Sequence, residues 1–120
     1  MGVTKTIIKE GSGPSPQVGQ TVVMKYTGYL KDATITYNDY QKDDKRKPFD
    51  TTKQRGPFET AIGVGRVIKG WDEGVPQMKV GEEAVLDITS DYGYGARGAG
   101  DVIPAHADLI FFVELLEIKN

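Results

Sequence analysis

Cysteine is absent from this chain and histidine occurs once, at His106. Without thiols there can be no disulfide, no thiolate nucleophile and no cysteine-based zinc site, and one imidazole cannot build a histidine metal cluster. Most hydrolytic and redox machinery is thereby excluded, and neither metal nor cofactor is expected. Positive charge is also not in excess. Fifteen Lys and Arg face seventeen Asp and Glu for a net charge of −2, and the basic residues are scattered among acidic ones, so no cationic stripe exists for a nucleic acid. No apolar run approaches the roughly 20 residues that span a bilayer, and the N-terminus has no signal-peptide core. The expectation is a cytoplasmic protein that engages neither nucleic acid nor membrane. Met1-Gly2-Val3-Thr4-Lys5-Thr6 fits the loose myristoylation pattern, but no second membrane signal follows it, and an ordinary first strand is the better reading.

What is present fits one domain over residues 1–120, since no composition break marks a linker and this length suits a single core. The chain is organised around Gly65 to Met78, which carries the only tryptophan. Val67, Trp71, Val75 and Met78 recur at intervals of four, four and three, which predicts one apolar face of a short helix centred on Trp71. Gly70 and Gly74 each lower helix propensity by about 1 kcal/mol, and Pro76 removes a backbone donor, so the segment needs something packed over it. The two glycines also leave the indole open to a neighbouring sheet or a ligand.

The other elements follow from alternation. Val3 to Lys9 is rich in β-branched residues and reads as a strand, stopped by a Gly/Ser/Pro loop from Glu10 to Pro16. Thr21 to Leu30 is the next, with Val22, Met24 and Tyr26 on its inward face. Lys31 to Pro48 mixes five basic and four acidic residues with Ile35, Tyr37 and Tyr40, and no period lasts. This predicts an exposed insertion at about residues 31–48, a solvated loop in the simplest reading, with aromatics that could pin it to the surface or meet a partner. Phe58 to Ile62 is a short strand before the Gly63-Val64-Gly65 turn. Ala84, Leu86 and Ile88 define the core face of a one-sided strand. Ser90 to Ala107 is a glycine-rich loop of eighteen residues, long enough to suggest function. Leu109 to Ile118 is apolar on both faces and predicts a central strand. The sum is an α+β domain, a curved antiparallel β-sheet of five to six strands wrapped around one short α-helix.

Elimination then narrows the chemistry. Gly65 to Gly70 resembles a phosphate loop superficially, but Trp71-Asp72 stand where Lys and Ser/Thr belong. A catalytic triad could use only His106, which lies between Ala105 and Ala107 with no nucleophile elbow nearby. Asp72 and Glu73 are adjacent on a helix and point apart, which suits surface charge better than paired acid/base work. An apolar pocket remains: Tyr26, Phe49, Phe58, Trp71, Tyr94, Ile103 and Phe111 each fall on an inward strand position, beside the helix or in the long loop.

Those residues carry a resemblance. Tyr26-Thr27-Gly28, Phe49-Asp50, Gly65-Arg66-Val67-Ile68-Lys69-Gly70-Trp71, Gln77-Met78, Tyr92-Gly93-Tyr94-Gly95, Ile103-Pro104 and Leu109-Ile110-Phe111 resemble, in order and over nearly the whole chain except Lys31 to Pro48, the FKBP-type peptidyl-prolyl isomerases, immunophilins that bind tacrolimus and rapamycin. The resemblance implies a monomer in which Trp71 floors the pocket and Tyr26, Phe49, Phe58, Val67, Ile68, Ile103 and Phe111 form its walls. Arg66 and Val102 join the drug-contacting set. Tyr94 hydroxyl and Ile68 N–H donate to ligand carbonyls, and Asp50 accepts a hydrogen bond, held by Arg55 and Tyr26; Tyr94, Asp50, Ile68 and Trp71 are the implied catalytic residues. The implied partners are proline-containing peptides and proteins, the two macrolides, and calcineurin or the TOR kinase through the drug complex. Prolyl isomerisation needs neither nucleophile nor metal, in agreement with the elimination. The chain departs from the family at Ala99-Gly100-Asp101, where relatives often carry a bulkier residue followed by Pro-Gly at a tip that meets substrate flanks and drug-complex partners. It also departs between Arg55 and Phe58, where the link is short by one residue. The rival readings are a proline- or drug-binding adaptor without turnover, and an interaction module that works through the insertion.

Overall fold

The computed structural model describes residues 2–42 and 45–119. Met1 of the lipidation pattern and Asp43-Asp44 of the insertion lie outside the described residues. Six strands form one antiparallel sheet: β1 (Val3–Lys9), β2 (Thr21–Leu30), β3 (Asp50–Thr51), β4 (Phe58–Ala61), β5 (Glu83–Ile88) and β6 (Leu109–Lys119). Their order is β1-β5-β6-β2-β3, with β4 also paired to β2. The alternation dictates the register. Tyr26 lies opposite Val113 and Met24 opposite Leu115, and Leu86 lies opposite Phe111, so each inward set meets another across the ladder. Before β1, Gly2 is buried, and its N–H donates to Thr89 Oγ1 at 2.7 Å.

The inward face curls over α1 (Lys69–Gly74), and the next residues, Val75–Gln77, tighten into a 3₁₀ turn. The helix is shorter than the apolar spacing predicts. Val67 precedes it and Val75 falls in the 3₁₀ turn, where Pro76 occupies one of the first two positions and needs no donor. Trp71, Val75 and Met78 are nonetheless buried together with Leu86, Ile88, Leu109 and Leu115 in the main core. The helix glycines serve the sheet. A Cβ on Gly70 would stand 2.6 Å from Ile88 Cγ2, and one on Gly74 would stand 3.2 Å from Leu86 and Val3 side chains. Their absence lets six helical residues press directly onto β5 and β1.

The insertion differs from its sequence reading. Most of its described residues are exposed, yet Tyr40 is 1% exposed. It packs with Tyr29, Val85 and Ile110 in a second core on the outward face of the sheet, with Ile35, Tyr37 and Phe112 against it. The Arg46 guanidinium lies 5.4 Å from the Tyr40 ring centroid and 3.3 Å from Asp32. Tyr40 hydroxyl accepts the Asp32 N–H at 2.7 Å. Lys31 and Tyr37 both reach Asp87 on β5, at 2.9 and 3.3 Å. β5 is therefore covered on both faces where one-sided burial was predicted, because an irregular segment can be anchored by single residues that no period reveals. No helix among the described residues is long and apolar enough to cross a membrane.

Candidate functional site

Between α1 and the ends of β2, β3, β4 and β6 is a cavity of about 160 Å³. Tyr26 enters it from the inward face of β2. Phe111 enters from β6, and Phe58 from the start of β4. Gly28 permits the next contact: a Cβ there would lie 2.6 Å from Phe111 Cε1 and 2.8 Å from Phe49 Cζ, so only glycine lets those rings meet edge to face at 5.4 Å. Trp71 closes the inner end, its ring centroid 4.7 Å from Tyr26, 5.1 Å from Phe111 and 6.0 Å from Phe58. Arg66, Val67, Ile68, Asp50 and Tyr94 complete the lining.

The polar groups are few and fixed. Tyr26 hydroxyl donates to Asp50 Oδ2 at 2.7 Å, and Arg55 Nη2 donates to Asp50 Oδ1 at 2.9 Å. Burial first, and then the Asp50 carboxylate that accepts its proton, push the Tyr26 hydroxyl up to about 12. Burial first, and Asp50 second, raise Tyr94 as well. Both phenols are thus neutral donors at neutral pH. Because the folded Tyr26 holds its proton above the ordinary value of 10, its contribution to stability is complete below pH 10 and is lost as pH rises through about 12. Tyr26→Phe should therefore lose stability less steeply than wild type between pH 10 and 12 in denaturant titrations. Parallel slopes would show that the Tyr26–Asp50 bond does not hold the proton.

Tyr94 and Ile68 are placed by backbone. The loop from residue 90 to 107 is well organised. Ser90–Tyr92 make a 3₁₀ turn, Gly95 N–H donates to Ser90 O, His106 N–H donates to Gly95 O, and Ala99 bridges Ile103. Tyr94 is 38% exposed at the cavity mouth. Ile68 caps α1 with extended backbone; its carbonyl accepts Trp71 and Asp72 N–H, and its own N–H has no acceptor among the described residues. Asp72 departs from the surface-charge reading. Its carboxylate accepts Gly63 N–H at 2.8 Å and Gly65 N–H at 2.9 Å, in a turn where both glycines have positive φ. This clamp sets the turn that delivers Arg66, Val67 and Ile68. The sequence signal was an aspartate in the first helical turn just after a Gly-Val-Gly turn. Glu73 does stay at the surface, 4.0 Å from Lys69.

Three residues implied for the binding set are not in the cavity wall. Ile103 is buried in the main core, Val102 is 55% exposed at a turn, and Arg55 reaches Asp50 from outside. A larger open cleft of about 700 Å³ lies on the outward face of the sheet. Lys25 and Glu114 stand opposite each other across β2 and β6 on its floor, and it gathers no aromatic set like that around Trp71. Among the described residues no cluster of His, Cys, Asp and Glu could hold a metal.

Comparison with known proteins agrees with this geometry. The family model for the FKBP-type peptidyl-prolyl cis-trans isomerase matches residues 13–116. The chain is 58% identical over 120 residues to FK506-binding protein 1 of Gibberella zeae, covering 98% of this chain and 99% of that one. It is 50% identical over 120 residues to FK506-binding protein 1 of Dictyostelium discoideum, covering 99% of this chain and all of that one. It is 46% identical over 122 residues to a peptidyl-prolyl cis-trans isomerase of Schizosaccharomyces pombe, covering all of this chain and 97% of that one. A crystal structure of a peptidyl-prolyl cis-trans isomerase from Pseudomonas syringae superposes with a TM-score of 0.79 at 30% identity, over 98% of this chain and 76% of that one. The chain belongs to the FKBP-type peptidyl-prolyl cis-trans isomerase family, and its reaction is rotation about Xaa-Pro peptide bonds.

Proposed function

We propose that the Trp71 cavity is where that rotation is accelerated, with the prolyl ring of a peptide or protein seated on the indole. The observation that carries this is the convergence of Tyr26, Phe49, Phe58, Trp71 and Phe111 around a cavity too small for a drug-sized ligand, whose sites run to roughly 300–1,000 Å³. Such a cavity takes one apolar ring and leaves the remaining chain at the mouth, beside Tyr94, Ile68, Asp50 and Arg66.

The barrier to rotation is about 18–20 kcal/mol and comes from amide resonance, which twisting breaks. A twisted amide is less dipolar than a planar one, so aromatic walls that exclude water favour it over the ground state, and a substrate held half-turned has less freedom to lose. Tyr94 hydroxyl and Ile68 N–H donate to substrate carbonyls, and Asp50, fixed by Tyr26 and Arg55, accepts a hydrogen bond from the ligand. A ten-thousandfold acceleration corresponds to about 5.5 kcal/mol, divided between desolvation and these donors. Tacrolimus and rapamycin occupy the same cavity with one ring and leave the rest of the macrolide outside, where the complex meets calcineurin or the TOR kinase. The protein works as a monomer in the cytoplasm on proline-containing chains.

The test is cis-to-trans isomerisation of a Leu-Pro peptide, wild type beside Tyr94→Phe, with and without tacrolimus. Fast turnover that the drug blocks and the lost hydroxyl weakens is expected. Tight drug binding without acceleration would leave a proline-binding adaptor instead.

A further inference from the structure

Two full charges line the cavity, Asp50 and Arg66, and they are not equivalent. Asp50 is neutralised in place by Arg55 at 2.9 Å and accepts the Tyr26 hydroxyl. Arg66 is exposed and has no hydrogen bond or ion pair among the described residues. Asp72, on the helix that follows Arg66, is engaged by the Gly63 and Gly65 amides. The next cation, Lys69, faces Glu73 at 4.0 Å and the Tyr92 ring at 4.5 Å. The mouth therefore carries one uncompensated positive charge, on a side chain that reaches the wall where the peptide flanking the proline must pass.

We propose that Arg66 makes the protein discriminate between charged flanks, favouring an acidic over a basic side chain adjacent to the proline. This rests on the cavity being the prolyl site. A guanidinium with all its donors free offers a carboxylate a paired hydrogen-bonding fork, and the same charge repels lysine or arginine at that position. The contact is solvent-exposed, so its effect is modest and salt-sensitive.

The experiment compares kcat/KM for matched peptides with Glu or Lys placed directly before the proline, and a second set with the same residues directly after it. Wild type, Arg66→Gln and Arg66→Glu are run at about 10 mM and about 500 mM salt. At one of the two positions wild type should favour Glu over Lys by roughly tenfold at low salt and by about twofold at high salt. The ratio should fall to near one in Arg66→Gln and invert in Arg66→Glu, whatever happens to the absolute rates. A wild-type ratio near one at both positions, or one that survives Arg66→Gln, overturns the proposal. If wild type accelerates no peptide, the isomerase reading fails separately; calorimetric affinities for the same peptides then decide, and equal binding of Glu and Lys peptides overturns the role of Arg66.

Discussion

Trp71→Leu is expected to lower kcat/KM for a Xaa-Pro peptide by about thirtyfold, equivalent to about 2 kcal/mol of transition-state contact. The indole touches Tyr26, Phe58 and Phe111, and leucine supplies neither its area nor its flat face. The stability loss should be smaller than usual for a buried tryptophan. Truncating a large core aromatic to alanine costs about 3–5 kcal/mol, but Trp71 Nε1 is buried without a hydrogen-bond partner among the described residues. Removing an unsatisfied donor returns roughly 1–3 kcal/mol, and leucine refills part of the space. A net loss of about 1–2 kcal/mol is expected, so the variant stays folded at assay temperature and the two effects separate. Thermal melts beside steady-state rates check this; a folded variant with wild-type kcat/KM would show that the indole is not the floor of the site.

The second large effect lies on the opposite face. Tyr40→Ala should destabilise the protein by about 3–5 kcal/mol, because Tyr40 is the buried anchor of the insertion and its hydroxyl bonds the Asp32 backbone. For this chain length that is a fall of roughly 10–25 °C in melting temperature. Calorimetry checks it. Tyr37→Ala, from a half-buried side chain, should fall much less. A Tyr40→Ala melt within a few degrees of wild type would mean that the insertion is a solvated loop after all.

These two residues also mark what the sequence discloses. Strand β2 was legible because apolar residues recur every second position, so that a one-residue slip would turn Val22, Met24 and Tyr26 out to water; β1 was legible from its β-branched run and β6 from being apolar on both faces. The cavity was legible because its residues sit in short motifs whose order matches a known family. Tyr40 was not, since a single anchor in an irregular segment leaves no periodic trace. Nor was the role of Asp72, whose partners are backbone amides and whose one trace in the sequence is its place in the first helical turn just after Gly63-Val64-Gly65. Glu82 is a third case. Its side chain is 2% exposed and meets Lys5 Nζ at 2.7 Å, a burial that nothing in the local sequence announces. That pairing joins residues 77 positions apart, a distance over which only the folded chain brings charges together.

The place of β6 in the sheet has a kinetic consequence. It follows the other five strands in sequence among the described residues, and it stands between β5 and β2. The β1-β5 half and the β2-β3-β4 half therefore share no ladder until Leu109–Lys119 slots between them. Even the nearest-in-sequence pairs of the β1-β5 and β2-β6 ladders, Lys9 with Glu83 and Leu30 with Leu109, close loops of more than seventy residues before the core exists to reward them. Refolding should consequently belong to the slow end for a domain of this size, roughly milliseconds to seconds. On the ribosome, the two halves wait as separate hydrophobic surfaces until the strand that joins them has emerged.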